Sequence, residues 1–257
     1  MLRALAESAE QFKLAALNKM SAVPAFTVAG ATAVGLYAAY RVMSRMFSSG
    51  GMCSEGVDAR DLAGRVCSAI HASTVAPIAA ATACGAVGPW LGAVGMGLSI
   101  GYFLSDSIVI ADTSESPVLF WVHHALSAGC LSATLLAAPQ CIWHASLLQC
   151  VEATIPIQFG AWLLEVRGAD KTRPGLYAGV RWLMAIAWVA MRLVVPAGFV
   201  VVVSREWASL AAPPRLIACA IAPFVVAFNV GGLFKVVLPG LPGLPRWGQS
   251  RRSGKQD

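Results

Sequence analysis

The sequence predicts an all-α bundle of about seven transmembrane helices, and three observations carry that prediction. Hydrophobic residues make up 57% of the 257 and charged residues only 12%, against a charged share of roughly 25% in soluble domains. The mean hydropathy is +0.67. Apolar runs recur along the chain, bounded by Gly, Pro and charge, and each approaches the ~20 residues that cross a bilayer.

In chain order, Leu2, Leu5, Ala9 and Phe12 fall at helical spacing among Arg3, Glu7, Glu10 and Lys13, so the segment to Met20 is expected to be a short interfacial helix. Glu7 and Glu10 argue against a targeting peptide. Spans follow at about 22-46, 63-87, 90-111, 118-137, 140-165, 182-203 and 210-238. The chain thus divides into an N-terminal segment with the first span (1-59), a core domain (60-238) and a flexible basic tail (239-257). It contains no convincing internal repeat, so an inverted-repeat transporter gains no support. Seven cysteines without CxxC spacing, mostly inside apolar runs, read as small packing residues.

An odd number of crossings puts the termini on opposite sides. Arg3, Lys13, Lys19, Arg205 and Arg215 then share one face. Arg41, Arg45, Arg60, Arg65, Arg167, Lys171, Arg173, Arg181, Lys235 and the tail cations share the other, an excess that predicts a cytosolic C-terminus. The net charge of +6 is therefore a topology signal. No nucleic-acid partner is expected, because these cations occupy short loops and tails rather than a phosphate-tracking surface.

Against this apolar background stand His71, Asp106, His123, His124, Glu152, Arg192 and Asn229. A charged group at bilayer depth costs ~2.5–3.5 kcal/mol on insertion scales, so such residues face the bundle interior. Ser99, Tyr102 and Asp106 share one face of the third span, and His123, Ser127, Cys130 and Thr134 form a stripe on the fourth. Counting ~1.5 Å per residue from the cytosolic span ends places Asp106 and His123 shallow, His71, Asn229 and Arg192 somewhat deeper and Glu152 near the middle, so that antiparallel spans deliver their polar residues to the same half of the membrane. The expectation is one polar site that opens toward the cytosolic face.

Pro156 follows Glu152 by four residues, and Pro196 follows Arg192 by four. Each proline frees the carbonyl four positions earlier and kinks the helix there. Glu152 and Arg192 are expected either to pair with each other or to face a substrate. Asp106 is the expected partner that orients and charges His123 or His124. His71, the paired histidines and Asp106 lack an HxxxH anchor on one helix, so no metal is expected. His144 reads as a lone interfacial histidine.

The segments Gly64-Arg65 through His71-Ala72, GYFLSD (Gly101 to Asp106), WVHH (Trp121 to His124), Glu152 with Pro156, Arg192, and FNVGGLFKVV (Phe228 to Val237) resemble the TLC domain. Ceramide synthases, translocating-chain-associated membrane proteins, the ceroid-lipofuscinosis membrane protein and small TLC-domain-containing proteins share that domain. The resemblance covers roughly residues 60 to 238. It implies six core helices around a lipid-accessible tunnel, often with an extra N-terminal span, in an endomembrane such as the endoplasmic reticulum. The ceramide synthase branch carries a histidine-aspartate pair and a further aspartate where LLQCVEATIP (Leu147 to Pro156) offers only Glu152. The chain therefore looks closer to the small TLC-domain-containing proteins.

Three functions follow from this reading. The first is a membrane protein that binds an acyl-chain or sphingoid-like lipid in the tunnel and influences membrane lipid composition. In it, His71, Tyr102, Glu152, Arg192, Asn229 and Lys235 contact the ligand. The second is an N-acyltransferase using His123 or His124 with Asp106, for which acyl-CoA is a substrate and no resident cofactor is needed. The third is an accessory subunit of a membrane complex or a homo-oligomer, whose glycines at 92, 95, 97 and 101 let helices approach closely.

Overall fold

The computed structural model describes residues 22–49, 57–113, 117–208 and 212–241. Among them every regular element is helical: α1 (Ala22–Ser49), α2 (Ala59–Ala83), α3 (Pro89–Thr113), α4 (Pro117–Ala137), α5 (Pro139–Val166), α6 (Pro174–Arg205) and α7 (Ala212–Gly232). A single turn at Ala169–Thr172 joins α5 to α6. The helices α1 to α6 are each long and apolar enough to cross a membrane, while the apolar run of α7 is shorter, at Phe224–Gly240. The chain is an all-α polytopic membrane protein. The interfacial helix expected before Met20, and residues 242–257 of the basic tail, lie outside the described residues.

Local chemistry sets the helix ends. The Asp58 carboxylate accepts the Arg60 N–H at 2.8 Å and caps α2, and Asp61 follows in the first turn. At its other end the chain leaves α2 through Gly85, whose φ of +71° lies in the left-handed region open to glycine. From α3 to α6 each helix opens on a proline, which gives up no intrahelical bond at that position.

At the centre of the bundle is α3, against which α1, α2, α4 and α5 all pack. Its glycines make that position possible. A Cβ on Gly97 or Gly101 would run into the carbonyl oxygens of Ala25 and Ala29, and one on Gly92 would come within 2.7 Å of Ile142 and Thr82. The backbones of α1 and α3 therefore touch along a pair of small-residue steps, where dispersion over a close approach stabilises helix association in lipid. Val34, Leu136, Ile186 and Phe234 point outward and are more than half exposed, as a lipid-facing surface requires.

The sequence reading ends the sixth span at Arg181, which it assigns to a loop as a topology cation. In the structure α6 runs back through Arg181 to Pro174, and Arg181 is buried. Its Nε donates to the Gly240 carbonyl at 2.9 Å and an Nη to the Val237 carbonyl at 3.4 Å. The cation thereby satisfies free carbonyls at the end of the last helix. Gly240 has no side chain because the guanidinium occupies the space a Cβ would need.

Candidate functional site

Both prolines mark the irregular turns expected of them. Within α5 the α-helix breaks into a 3-10 turn at Cys150–Ala153, carrying Glu152, and α6 widens into a π turn at Ala190–Val194, carrying Arg192. A third case escaped the sequence reading although the signal is the same: Pro239 follows Lys235 by four, and Leu233–Val237 is a π turn. Lys235, expected at the ligand, is exposed and does not line the cavity.

The polar residues that the depth argument gathers into one site fall into two adjoining groups. The first lines a cavity between α4, α5, α6 and α7. Arg192, Glu152, Asn229, Gln149 and His123 sit on its wall. The Arg192 guanidinium donates to Thr154 Oγ1 at 2.8 Å and to Asn229 Oδ1 at 3.5 Å, and its carbon lies 4.6 Å from the centre of the Trp188 ring. Trp188 in turn donates its indole N–H to the Asn229 carbonyl at 3.2 Å. Glu152 and Arg192 feel each other's charge, but among the described residues no ion-pair contact within 4.0 Å joins them. Of the two expected arrangements the direct pair is absent: the arginine is held by neutral partners, and the carboxylate is set apart from it on the same wall.

His123 contributes a ring rather than a charge pair. It stacks on Phe228 at 4.5 Å with an interplanar angle of 7° and lies 6.3 Å from Phe224. Below it, the stripe of Ser127, Cys130 and Thr134 lines the same cavity. From there the walls are apolar, with Leu131, Leu148 and Phe199. The empty space continues to Ala138, Cys141 and His144, so it extends toward the face opposite the Arg-rich one.

The second group is buried beside the cavity on α2, α3 and α4. His124 Nε2 lies 3.5 Å from Asp106 Oδ2, and His124 Nδ1 lies 3.4 Å from Ser107 Oγ. The Asp106 partner is therefore His124 and not His123. Tyr102 bonds Ser68 at 2.9 Å and is in hydrogen-bond reach of Asp106. The His71 ring stacks on Tyr102 at 4.0 Å, and His71 Nε2 sits 3.2 Å from Ser99 Oγ, which accepts from Gln149 at 2.8 Å. Phe103 stands between the groups, with its ring centre 6.0 Å from His123 and 5.2 Å from His124.

His144 is not a lone interfacial histidine. It is buried on the cavity wall, and its Nε2 meets Glu206 Oε2 at 3.0 Å, joining α5 to the end of α6. Ser68, Gln149 and Thr154 were missed altogether. Each lies two or three residues from a recognised polar position, and that proximity is the signal that was available. Among the described residues no cluster of three or more His, Cys, Asp or Glu is arranged to hold a metal ion.

Truncating the carboxylate tests the separation of the groups. Asp106→Ala leaves buried hydrogen-bonding atoms on His124 without an acceptor, at a cost of about 1–3 kcal/mol. The expected result is a lower melting temperature in detergent with the cavity's ligand occupancy little changed, since Asp106 is not on its wall.

The family model of the TLC domain matches residues 64–237, from the Gly64 turn of α2 to the π turn of α7. No curated protein and no solved structure gives a significant match to the chain.

Proposed function

The chain belongs to the TLC-domain family, and from that premise we propose that it binds an acyl-chain lipid inside the bundle, with the polar end at Glu152, Arg192 and Asn229 and the chain along α4. The observation that carries this reading is the polarity gradient of one cavity: a buried guanidinium and a separate carboxylate at one end, apolar walls beyond. A buried charge without a charged partner at contact distance is expensive. An anionic or zwitterionic head group would supply Arg192 with the opposite charge that Glu152 does not bring within 4.0 Å. Small-molecule sites have this composition, mostly apolar with a few convergent polar groups. Through such binding the protein would influence membrane lipid composition.

Acyl transfer to an amine is the second reading. In that step the amine nitrogen attacks the thioester carbonyl, the C–N bond forms as the C–S bond breaks, the ammonium proton passes to a histidine, and the thiol leaves. The His124–Asp106 contact favours it. Against it stands the division between the histidines, for the one on the cavity wall has no carboxylate beside it and the one with a carboxylate is not on the wall. Binding is therefore the primary reading. The same reading puts the chain in an endomembrane, the endoplasmic reticulum, with its Arg-rich face toward the cytosol.

The test is mass spectrometry of lipid co-purifying with the wild type and with His123→Ala, followed by incubation of both with labelled acyl-CoA and a long-chain amine. Bound lipid that falls several-fold in His123→Ala, with no label transferred, is the expected result. Histidine-dependent transfer would establish the enzyme instead. Absence of both lipid and transfer would leave the subunit reading.

A further inference from the structure

Gln149 is a polar residue on the cavity wall to which the head-group site gives no role. It is the last residue of the α-helical first part of α5, and the 3-10 turn of Cys150–Ala153 begins directly after it. A 3-10 turn holds three residues, so side chains three apart stand nearly in line. Gln149 and Glu152 are therefore stacked along α5, and both line the cavity.

One end of the Gln149 amide is committed. Its Nε2 donates to Ser99 Oγ at 2.8 Å, and His71 Nε2 lies 3.2 Å from the same oxygen. Ser99 is 1% exposed and His71 4%, and the His71 ring is stacked on Tyr102 with an interplanar angle of 9°. Ser99 and His71 stand on α3 and α2 and do not line the cavity, so their part is to hold the amide plane. The other end is uncommitted. Gln149 is itself 7% exposed, yet its Oε1 has no hydrogen-bond partner among the described residues and is not one of their fully sealed atoms. With Nε2 turned to Ser99, Oε1 is the end of the amide left to the cavity.

An amide oxygen only accepts hydrogen bonds, whereas a guanidinium only donates them. The polar end therefore asks two opposite things of a ligand: an acceptor for Arg192 on α6 and an N–H or O–H for Gln149 on α5. A plain carboxylate or ester meets the first demand alone and sets its lone pairs against those of Oε1. A buried acceptor that the ligand leaves unpaired carries the cost of its lost hydration.

We infer that Gln149 is a specificity-determining residue of this site, selecting acyl lipids whose head group carries an N–H or O–H donor beside the acceptor that meets Arg192. The inference rests on the lipid-binding reading above. Head-group charge is left to Arg192, and Gln149 adds the donor requirement, which an acyl amide or a 2-hydroxy acid satisfies.

The experiment uses the full chain, purified in detergent, stripped of lipid and incubated with two matched pairs built on one saturated acyl chain. The neutral pair is the primary amide and the methyl ester, and the anionic pair is the 2-hydroxy acid and the plain acid. Retained species are read by mass spectrometry. Within each pair the wild type should retain the donor-bearing member about tenfold better, the discrimination expected where its absence leaves a buried acceptor unpaired. In Gln149→Leu, which is similar in size but accepts no hydrogen bond, both ratios should fall about tenfold. In Gln149→Glu they should be kept, because one carboxylate oxygen accepts from the ligand while the other accepts from the Ser99 hydroxyl. Ser99→Ala should lower both ratios several-fold with Gln149 still in place, and as a truncation on another helix it carries the test where Gln149→Leu does not fold. Unchanged ratios in Gln149→Leu, or in Ser99→Ala standing in for it, would overturn the role of Gln149 and leave lipid binding intact. A wild type that prefers the methyl ester and the plain acid would do the same. Retention of none of the four lipids by the wild type would remove the lipid-binding reading, and the selectivity with it.

Discussion

Replacing Arg192 with alanine is expected to be the most damaging single change in the polar site. The guanidinium bonds Thr154 and Asn229, packs on Trp188, and is set against Glu152 on the same wall. Its removal leaves the Asn229 amide and the Thr154 hydroxyl without their donor, and the buried Glu152 without the nearby positive charge. Breaking a buried charge arrangement by deleting one member costs about 3–5 kcal/mol, because the groups left behind remain buried and uncompensated. Arg192→Ala should therefore lose both bound lipid and monodisperse elution in detergent. Lysine should not restore them, since an ammonium cannot reproduce the planar fork that reaches Thr154 and Asn229 together. Adding Glu152→Gln to Arg192→Ala should recover part of the folding loss without recovering lipid, because it neutralises the stranded charge but supplies no cation. Full lipid retention by Arg192→Ala would show that the head group sits elsewhere.

The second large effect is expected at Gly101. A Cβ there meets the Ala29 carbonyl oxygen, comes within 2.7 Å of Thr32 Cβ and lies 3.0 Å from the Ala33 nitrogen. Two of these are backbone atoms, which cannot rotate away, so α1 itself would have to move. Overpacking of this kind typically costs about 1–3 kcal/mol, and more where backbone must shift. Gly101→Val is expected to lower the melting temperature in detergent and to abolish disulfide crosslinking between cysteines introduced on the facing surfaces of α1 and α3. A parallel substitution at Gly30, which has nothing within 4 Å of its Cβ position, should leave both readings near the wild type. An unchanged crosslink in Gly101→Val would mean that α1 is held by contacts other than the glycine steps. The family match begins at residue 64, so this test also asks how firmly a helix outside the shared domain is attached to its core.

Much of this architecture was legible in the sequence because the bilayer imposes simple rules. An apolar solvent demands helices that satisfy their own backbone, of a length set by its thickness, and both requirements act on local sequence. That is why seven helices, their order and the family can be read from apolar runs, their punctuation and a few short segments. Proline chemistry is local as well. Its missing N–H acts on a residue four positions back, so the turns at Glu152 and Arg192 could be placed without knowing any neighbour. The glycines of α3 announced close packing in the same way, though not the helix they approach.

Tertiary structure alone decided which polar group meets which. Asp106 takes His124 rather than His123, Arg192 takes Thr154 and Asn229 rather than a direct pair with Glu152, and His144 reaches Glu206 some 62 residues away. Arg181, read as a loop cation, turns inward to the Val237 and Gly240 carbonyls. Helical phase assigns a residue to a face, but rotation of each helix about its axis and the bulk of the rings between them determine what that face touches. A cavity is further removed from local sequence, because it is the space that the facing surfaces of several helices fail to fill. The composition and depth of its polar residues were therefore set by the sequence of each helix, while its division from the His124–Asp106 group arises only when those helices pack together.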